Sequence, residues 1–298
     1  MNQLDMNQLD MNPETQFQEL RPLLFSLAYR MLGTRADAED VVQDAYLRWQ
    51  SAPAEEVRSP KSYLTTVVAR LALDGLKAAH RKRETYAGPW LPEPLVEPMG
   101  TEAVEMAESL SLAFLHLLES LSPAERVAFL LREVFDAGYD EVAAALETSE
   151  ANSRQIVNRA RKHIRDRRPR FTVDRDRQMA VLREFLAACA TGDPSQLTAM
   201  LTEEAVLYSD GGGKVSAALN PIFGADRVVR FLIGVARKLP AFSVQFAEVN
   251  GGIGAVLLDA GRPFSVMTLD LTPDGRIASL FVVSNPDKLF LDRPVTSG

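Results

Sequence analysis

From Phe17 to Leu32 the apolar residues Leu20, Leu23, Leu24, Leu27, Ala28 and Met31 recur at a helical spacing. Gly33 stops that helix and Thr34 caps the next. In the segment from Arg35 to Trp49, Ala38, Val42, Ala45 and Trp49 share one face, with Asp37, Asp40 and Asp44 nearly opposite. Ser59-Pro60 opens a third helix, striped by Tyr63, Leu64, Val67, Val68, Leu71 and Leu76 and ending in His80-Arg81-Lys82-Arg83. Gly88, Pro89, Pro92, Pro94, Pro98 and Gly100 then interrupt the pattern and predict a linker. Helical spacing resumes from about Ser109 to Leu121. Ser122-Pro123-Ala124-Glu125 is a capped helix start, leading into Val127, Leu130, Leu131 and Val134 and stopping before Gly138. A short helix follows from Tyr139 to Leu146, with Val142, Ala143 and Leu146 inward. Ser149 caps another through about Asp166. That last helix turns Val157, Ala160 and Ile164 inward and Asn152, Arg154, Gln155, Asn158, Arg159 and Lys162 outward.

After residue 170 the pattern changes. Residues 175–190 form one amphipathic helix with Met179, Leu182, Phe185, Leu186 and Cys189 on one side. Strand-like runs follow at 205–209, 214–219, 242–249, 253–259, 263–271 and 276–284, interrupted by a helix at about 224–238. Phe264, Val266, Thr268 and Asp270 lack strict alternation, which suits a strand covered on both faces. Thr272-Pro273-Asp274-Gly275 is a hairpin turn. The chain therefore divides into 13–85 and 109–170, both all-α, joined by an acidic, proline-bearing linker at 86–108, and an α+β domain at 171–298.

Charge alters the picture that its total suggests. The 298 residues carry a net charge of -7, which taken alone argues against nucleic acid. The distribution is uneven: residues 86–110 hold five acids and no base, whereas 151–170 hold eight bases and one acid. A second basic knot is Arg81-Lys82-Arg83. One cysteine excludes an internal disulfide framework, and no apolar run reaches the roughly 20 residues of a membrane span. The opening MNQLDMNQLDMN repeats a polar pentapeptide, reads as an unstructured start, and is no signal peptide. A reducing, cytoplasmic setting fits.

Three chemistries emerge from these placements. A short helix, a tight turn and a second helix bearing Asn, Gln and Arg make a helix-turn-helix. In it Arg can read guanine, Asn or Gln can read adenine, and the other bases can hold phosphate. The Asp37, Asp40 and Asp44 face is either a solvated surface or a dock for a basic protein. In the third helix Tyr63 among Lys61, Arg70, Lys77, Arg81 and Arg83 is either a rim residue or a stacking platform for unpaired bases. In the last domain the glycines 211–213 with Lys214 either cradle an anion or allow close packing. Its acids Asp210, Asp259 and Asp270 are the candidates for enzyme chemistry, but all three histidines (His80, His116, His163) lie upstream of it. Cys189 reads as a core thiol.

Residues 17–168 resemble an extracytoplasmic-function (ECF) sigma factor, through LAYRMLGTRADAEDVVQDAYLRW (27–49), SPKSYLTTVVARLALDGLKAAHRKRE (59–84) and LSPAERVAFLLREVFDAGYDEVAAALETSEANSRQIVNRARKHI (121–164). The resemblance implies RNA polymerase core (β′ and β subunits) as partner, with Asp37, Asp40 and Asp44 as the surface that docks on the clamp helices of the β′ subunit. It assigns Lys61, Tyr63, Arg70, Lys77, Arg81 and Arg83 to the -10 promoter element. It assigns Ser149, Asn152, Arg154, Gln155, Asn158, Arg159 and Lys162 to the -35 element. Two positions depart from many members, Tyr63-Leu64 for a Trp-Leu pair and Arg70 for Asn. The likeness narrows to a subgroup with a SnoaL-like α+β cone at the C-terminus. That narrowing rests on Trp90-Leu91-Pro92-Glu93-Pro94, Asp210-Gly211-Gly212-Gly213-Lys214 and Asn285-Pro286-Asp287-Lys288-Leu289. These motifs are then expected to be the regulatory contacts between the cone and the sigma regions, replacing a separate anti-sigma protein.

The expectation is a non-enzymatic initiation factor with no cofactor and no membrane contact, binding polymerase core and promoter DNA. Whether a small ligand occupies the cone stays open. The alternatives are a ligand-sensing helix-turn-helix regulator, which has no need of residues 27–84, and an enzyme whose chemistry sits in the cone.

Overall fold

In a computed structural model, residues 12–52, 57, 59–83, 85–99, 111–165, 174–239 and 241–289 are described. The opening repeat before residue 12 and the division near residue 170 lie outside them. The chain forms two compact units, Met1–Glu84 with Leu117–Arg167, and Thr85–His116 with Arg168–Gly298.

The first unit is helical. Helix α1 (Pro13–Leu32) starts on Asn12, whose side chain accepts from the Glu14 N–H, and ends at Gly33, held at φ 78° with its N–H on the Tyr29 carbonyl. Thr34 caps α2 (Arg35–Gln50), which buries Ala38, Val42, Ala45 and Trp49. The Trp49 indole donates to the Pro13 carbonyl at 2.7 Å and so ties the end of α2 to the start of α1. Helix α3 (Pro60–Arg83) buries Leu64, Val67, Val68, Ala72 and Leu76, with Tyr63 and Leu71 half-buried. Helix α4 (Leu112–Leu118) leads across the unit boundary.

Helix α5 (Pro123–Phe129) begins with the reciprocal Ser122–Glu125 capping box and runs on into a π turn, Leu130–Val134. Helix α6 (Tyr139–Leu146) ends at Glu147, in the left-handed region at φ 52°. The Ser149 hydroxyl then accepts from the Asn152 N–H at 3.3 Å at the start of α7 (Glu150–Arg165). The α7 core face, Ser153, Ile156, Val157, Ala160 and Ile164, packs on α5 and α6.

The second unit is a seven-stranded sheet with three helices: α8 (Arg175–Thr191), α9 (Pro194–Met200) and α10 (Ala225–Ala236). The strands are β1 (Val96–Glu97), β2 (Leu201–Asp210), β3 (Ile222–Phe223), β4 (Ser243–Val249), β5 (Gly252–Asp259), β6 (Arg262–Leu271) and β7 (Ile277–Val283). Their order is β1-β4-β5-β6-β7-β2-β3, antiparallel except for β2 beside β7. Phe185, Leu197, Val228 and Val229 from the three helices pack with Leu207, Met267 and Leu280 on one sheet face. Leu91 and Leu112 pack with Val249, Val266 and Phe281 on the other. Helix first and curved sheet after is the α+β cone that the sequence implied. The missing alternation in β6 follows from cover on both faces.

Three expectations change. Residues 214–219 are turn and loop, and β3 at 222–223 is what pairs with β2. Helix α9 was not foreseen, its seven residues being too few for a periodic signal. The segment expected as a free linker from residue 86 carries a strand. Val96 lies opposite Val249, and the Asn250 N–H donates to the Leu95 carbonyl at 2.8 Å. Leu91, Pro92 and Pro94 are buried, so the prolines suit a sheet edge rather than an open spacer. Residues 85–116 accordingly belong to the second unit.

Burial pushes the Asp270 carboxyl up to about 6. The sign follows from linkage. Between about pH 4 and 6 the folded protein keeps a proton that the unfolded chain releases, so the second unit loses stability as pH rises through that window. Asp270→Asn is expected to stabilise it by about 2 kcal/mol at pH 7 and by little at pH 4. Urea unfolding of both proteins at the two pH values checks this, and an equal gain at both contradicts it. Burial also pushes the Cys189 thiol up to about 12, as expected of a core thiol.

Candidate functional sites

On α2, Asp37, Asp40 and Asp44 are all exposed, but they differ in what holds them. Asp37 belongs to the helix cap: its N–H donates to the Thr34 hydroxyl at 3.3 Å. Asp40 and Asp44 project freely along the helix. Leu47, three residues beyond Asp44 and 54% exposed, joins their face. The sequence reading passed over it, although an apolar residue on an otherwise acidic face is the signal that marks it.

On α3 the expected set divides. Lys61 is exposed, Lys77 pairs with Asp74 at 3.1 Å in solvent, and Tyr63 packs its ring 5.8 Å from Trp49. Arg70 donates from Nε and Nη2 to the Ala144 carbonyl at 3.2 and 2.6 Å, in the last turn of α6. The Arg81 side chain lies outside the described residues. Arg83 does not face solvent as expected: it donates to Glu119 and, at 2.6 Å, to the Leu32 carbonyl. A guanidinium between a carboxylate and a helix-end carbonyl is a packing group, so Arg83 leaves the -10 set.

On α7 the outward face is as the sequence implied. Asn152, Arg154, Gln155, Asn158, Arg159 and Lys162 are exposed. Ser149 is committed to the cap. Asn152 donates to the Thr148 hydroxyl at 2.8 Å, so it steadies the turn. Arg154 pairs with Glu150 at 3.0 Å and lies 4.3 Å over the Tyr139 ring. Arg159 lies 3.6 Å from Glu125.

The three remaining motifs meet within the second unit. Asp210 is fully buried at the end of β2, and each of its oxygens takes two donors. Oδ1 accepts the Tyr86 hydroxyl at 2.6 Å and the Gly212 N–H at 3.0 Å. Oδ2 accepts the Leu91 N–H at 2.9 Å and the Lys288 ammonium at 2.7 Å. A carboxylate has about four lone-pair sites, so this one is filled. Lys288 also donates to the Leu91 carbonyl and sits 4.2 Å over the Trp90 ring and 5.1 Å over that of Tyr86. Asn285 donates to the Tyr86 hydroxyl at 2.8 Å, and Lys214 pairs with Asp287 across the surface at 2.5 Å. Burial, reinforced by Asp210, raises the Tyr86 phenol and keeps it a donor.

The glycines serve packing. Gly212 sits at φ 63°, and a Cβ there would lie 2.4 Å from the Asn285 side chain. A Cβ on Gly211 would lie 2.6 Å from the Val215 carbonyl. Tyr86 was the missed member: it stands outside all three motifs, and no local pattern marks it. Glu93, Pro286 and Leu289 are respectively half-buried, exposed and half-buried beside this knot. Among the described residues no group of three or more His, Cys, Asp or Glu could hold a metal.

The pattern of sigma-70 region 2 matches residues 16–82, and that of sigma-70 region 4 matches residues 111–164. The chain is 40% identical over 290 residues to the ECF RNA polymerase sigma factor SigJ of Mycobacterium tuberculosis, with 92% of each chain covered. This chain belongs to the ECF RNA polymerase sigma factors. The sigma factor is also 33% identical over 277 residues to the probable ECF RNA polymerase sigma factor SigI of the same organism, covering 90% of this chain and 92% of the relative. The crystal structure of SigJ superposes on it with a TM-score of 0.75 at 36% identity, over 95% of this chain and 99% of that one. The likeness thus extends through the cone as well as through the two sigma regions. Sigma factors are non-catalytic initiation factors. The regulator alternative gains nothing, because region 2 is the segment that such a protein would not need. No helix among the described residues is long and apolar enough to cross a membrane.

Proposed function

We propose that this sigma factor docks on core polymerase through Asp40, Asp44 and Leu47 of α2. Lys61, Tyr63 and Lys77 of α3 serve the -10 element, and Gln155, Asn158 and Lys162 of α7 serve the -35 element. The observation that carries the DNA reading is the α7 face: a capped helix of a helix-turn-helix, its amide side chains solvent-facing and ringed by bases. Gln or Asn paired to adenine contributes about 1–3 kcal/mol of discrimination, whereas a lysine on phosphate contributes sequence-independent affinity. Asn158→Ala is therefore expected to relax preference at a single base position. Lys162→Ala should weaken all sequences alike and lower the salt slope by about 0.9. Selection of -35 sequences with the polymerase holoenzyme checks both. Uniform weakening by Asn158→Ala contradicts the base-reading role.

The cone acts through the linker. Asp210 and Lys288 hold Tyr86, Trp90 and Leu91, and β4 holds Val96. A segment that joins the two promoter-reading regions is thereby bound to a tethered domain. Tethering raises the effective concentration of such a contact without any separate inhibitor. Docked, the linker cannot extend; released, it can. In this reading the motifs regulate by acting on the linker rather than directly on the sigma regions.

A further inference from the structure

The second unit is acidic in sum, and several of its bases are neutralised or stacked where they stand. Arg175 pairs with Glu248, Lys214 with Asp287, Arg276 with Asp274 and Lys288 with Asp210, while Arg183 lies 5.2 Å over the Phe246 ring. Helix α10 is different. Its buried face, Val228, Val229 and Leu232, joins the core against the sheet. Arg227, Arg230, Arg237 and Lys238 are exposed on the opposite side. Among the described residues, none of these four bases enters an ion pair or a side-chain hydrogen bond.

The helical turn runs on past Ala236, because the N–H groups of Lys238 and Leu239 donate to the Val235 carbonyl at 2.9 and 3.1 Å. With 3.6 residues per turn, the bases fall within an arc of roughly 100°. Gly234 is the other residue in that arc, and a Cβ added there would meet nothing within 4 Å. Asp226 stands at the edge of the arc, in the first turn, where the macrodipole favours an acid. Like charges gathered on one helix face repel one another, which costs stability in the free protein.

The chemistry of the ridge selects its partner. A protein interface centres on apolar or aromatic anchors, and the arc holds none. A lipid surface takes up an apolar helix face beside the bases, whereas the apolar face of α10 lies in the core. A nucleic-acid backbone requires only fixed cations and room to approach, which Gly234 leaves open. From Arg227 to Lys238 the ridge runs about 16 Å at 1.5 Å per residue. That length spans about five base pairs of duplex at 3.4 Å each, enough for each base to meet a phosphate.

We propose that the exposed ridge of α10 is a phosphate-binding surface, through which the C-terminal domain grips duplex DNA in the promoter complex. This rests on the promoter binding proposed above and adds a contact outside both sigma regions. Such a contact carries affinity and no sequence preference, so its signature is salt dependence.

The test titrates promoter duplex with the full chain on core polymerase at several salt concentrations. Arg227→Gln, Arg230→Gln, Arg237→Gln and Lys238→Gln together should lower the salt slope by about 3.6, or 0.9 for each base. Raising salt from about 50 to about 200 mM should then cost this variant about 150-fold less affinity than it costs wild type. Its melting temperature should hold, since the four side chains are exposed and glutamine is a good helix former. Affinity for core enzyme without DNA should also hold. Arg227→Lys, Arg230→Lys and Arg237→Lys, which keep the charge, should retain the wild-type slope. An unchanged slope in the fourfold variant overturns the proposal. So does lost core affinity with an unchanged slope, which assigns the ridge to polymerase. If the fourfold variant melts early, Arg230→Gln alone decides, with an expected fall of about 0.9. Lys162→Ala in the same titration separates the two readings. A slope lowered there but not by the α10 variants removes the ridge alone, and a slope moved by neither removes the promoter assignment with it.

Discussion

Replacing Lys288 with methionine is expected to destabilise the second unit by about 3–5 kcal/mol and to free residues 86–97 from it. Lys288 neutralises Asp210, which is fully buried. The substitution keeps most of the volume but leaves a carboxylate in the interior with no cation, and that penalty dominates. The same change removes the donor to the Leu91 carbonyl and the cation stacked on Trp90 and Tyr86. Two of the linker's attachments are lost with it, while the β1–β4 pairing remains. Hydrogen exchange should then show protection falling first at Leu91 and least at Val96. Asp210→Asn with Lys288→Met, which removes both charges, should recover part of the loss, because an apolar or neutral pair is tolerated where a lone charge is not. Promoter-specific transcription by the released-linker variant must differ from wild type in either direction. Unchanged output and unchanged polymerase affinity would remove the regulatory role of the cone.

Reversing the acidic face should have the larger effect on partner binding. Asp40→Lys with Asp44→Lys converts the exposed ridge of α2 from acidic to basic without touching its buried face of Ala38, Val42, Ala45 and Trp49. Helix stability should change little. Affinity for core polymerase should drop at least about 100-fold, because like charges set against each other at an interface cost several kcal/mol. Leu47→Ala, which leaves all charges in place, should weaken binding without altering its salt dependence. Pull-down and titration of core enzyme with the full chain measure both. Undiminished binding by the double reversal would remove α2 from the docking surface.

How much of this the sequence displays depends on the distance over which each feature is made. Caps are local, so Thr34, the Ser122–Glu125 box and Ser149 are legible residue by residue. The recognition helix is legible too, because its inward Val157, Ala160 and Ile164 fix which side chains face out. Edge strands are less so. Val215 and its neighbours alternate like a strand, yet only Ile222 and Phe223 find a partner in β2. The linker conceals its apolar anchors, Leu91 and Val96, among prolines that suggest open chain. The two knots are the least legible. Tyr86 meets Asn285 across 199 positions, and Arg83 reaches Glu119 across 36. The motifs could be recognised one at a time, but a meeting point created by the fold leaves no periodic trace. Arg83 shows the consequence: a basic run at a helix end implies solvent and phosphate, and folding turned one member inward.

The opposed charges along the chain now have separate places: the exposed acids on α2, the bases on α7, and Asp210 with Lys288 hidden in the second unit. The claim that unites them is promoter-specific initiation. It is tested most directly by mapping transcript start sites on a pool of genomic fragments, with core polymerase alone and with this protein added. The account predicts a new set of starts sharing two short sequence elements about 25 base pairs apart, lost with the Asp40→Lys, Asp44→Lys protein. Starts identical with and without the protein would contradict it.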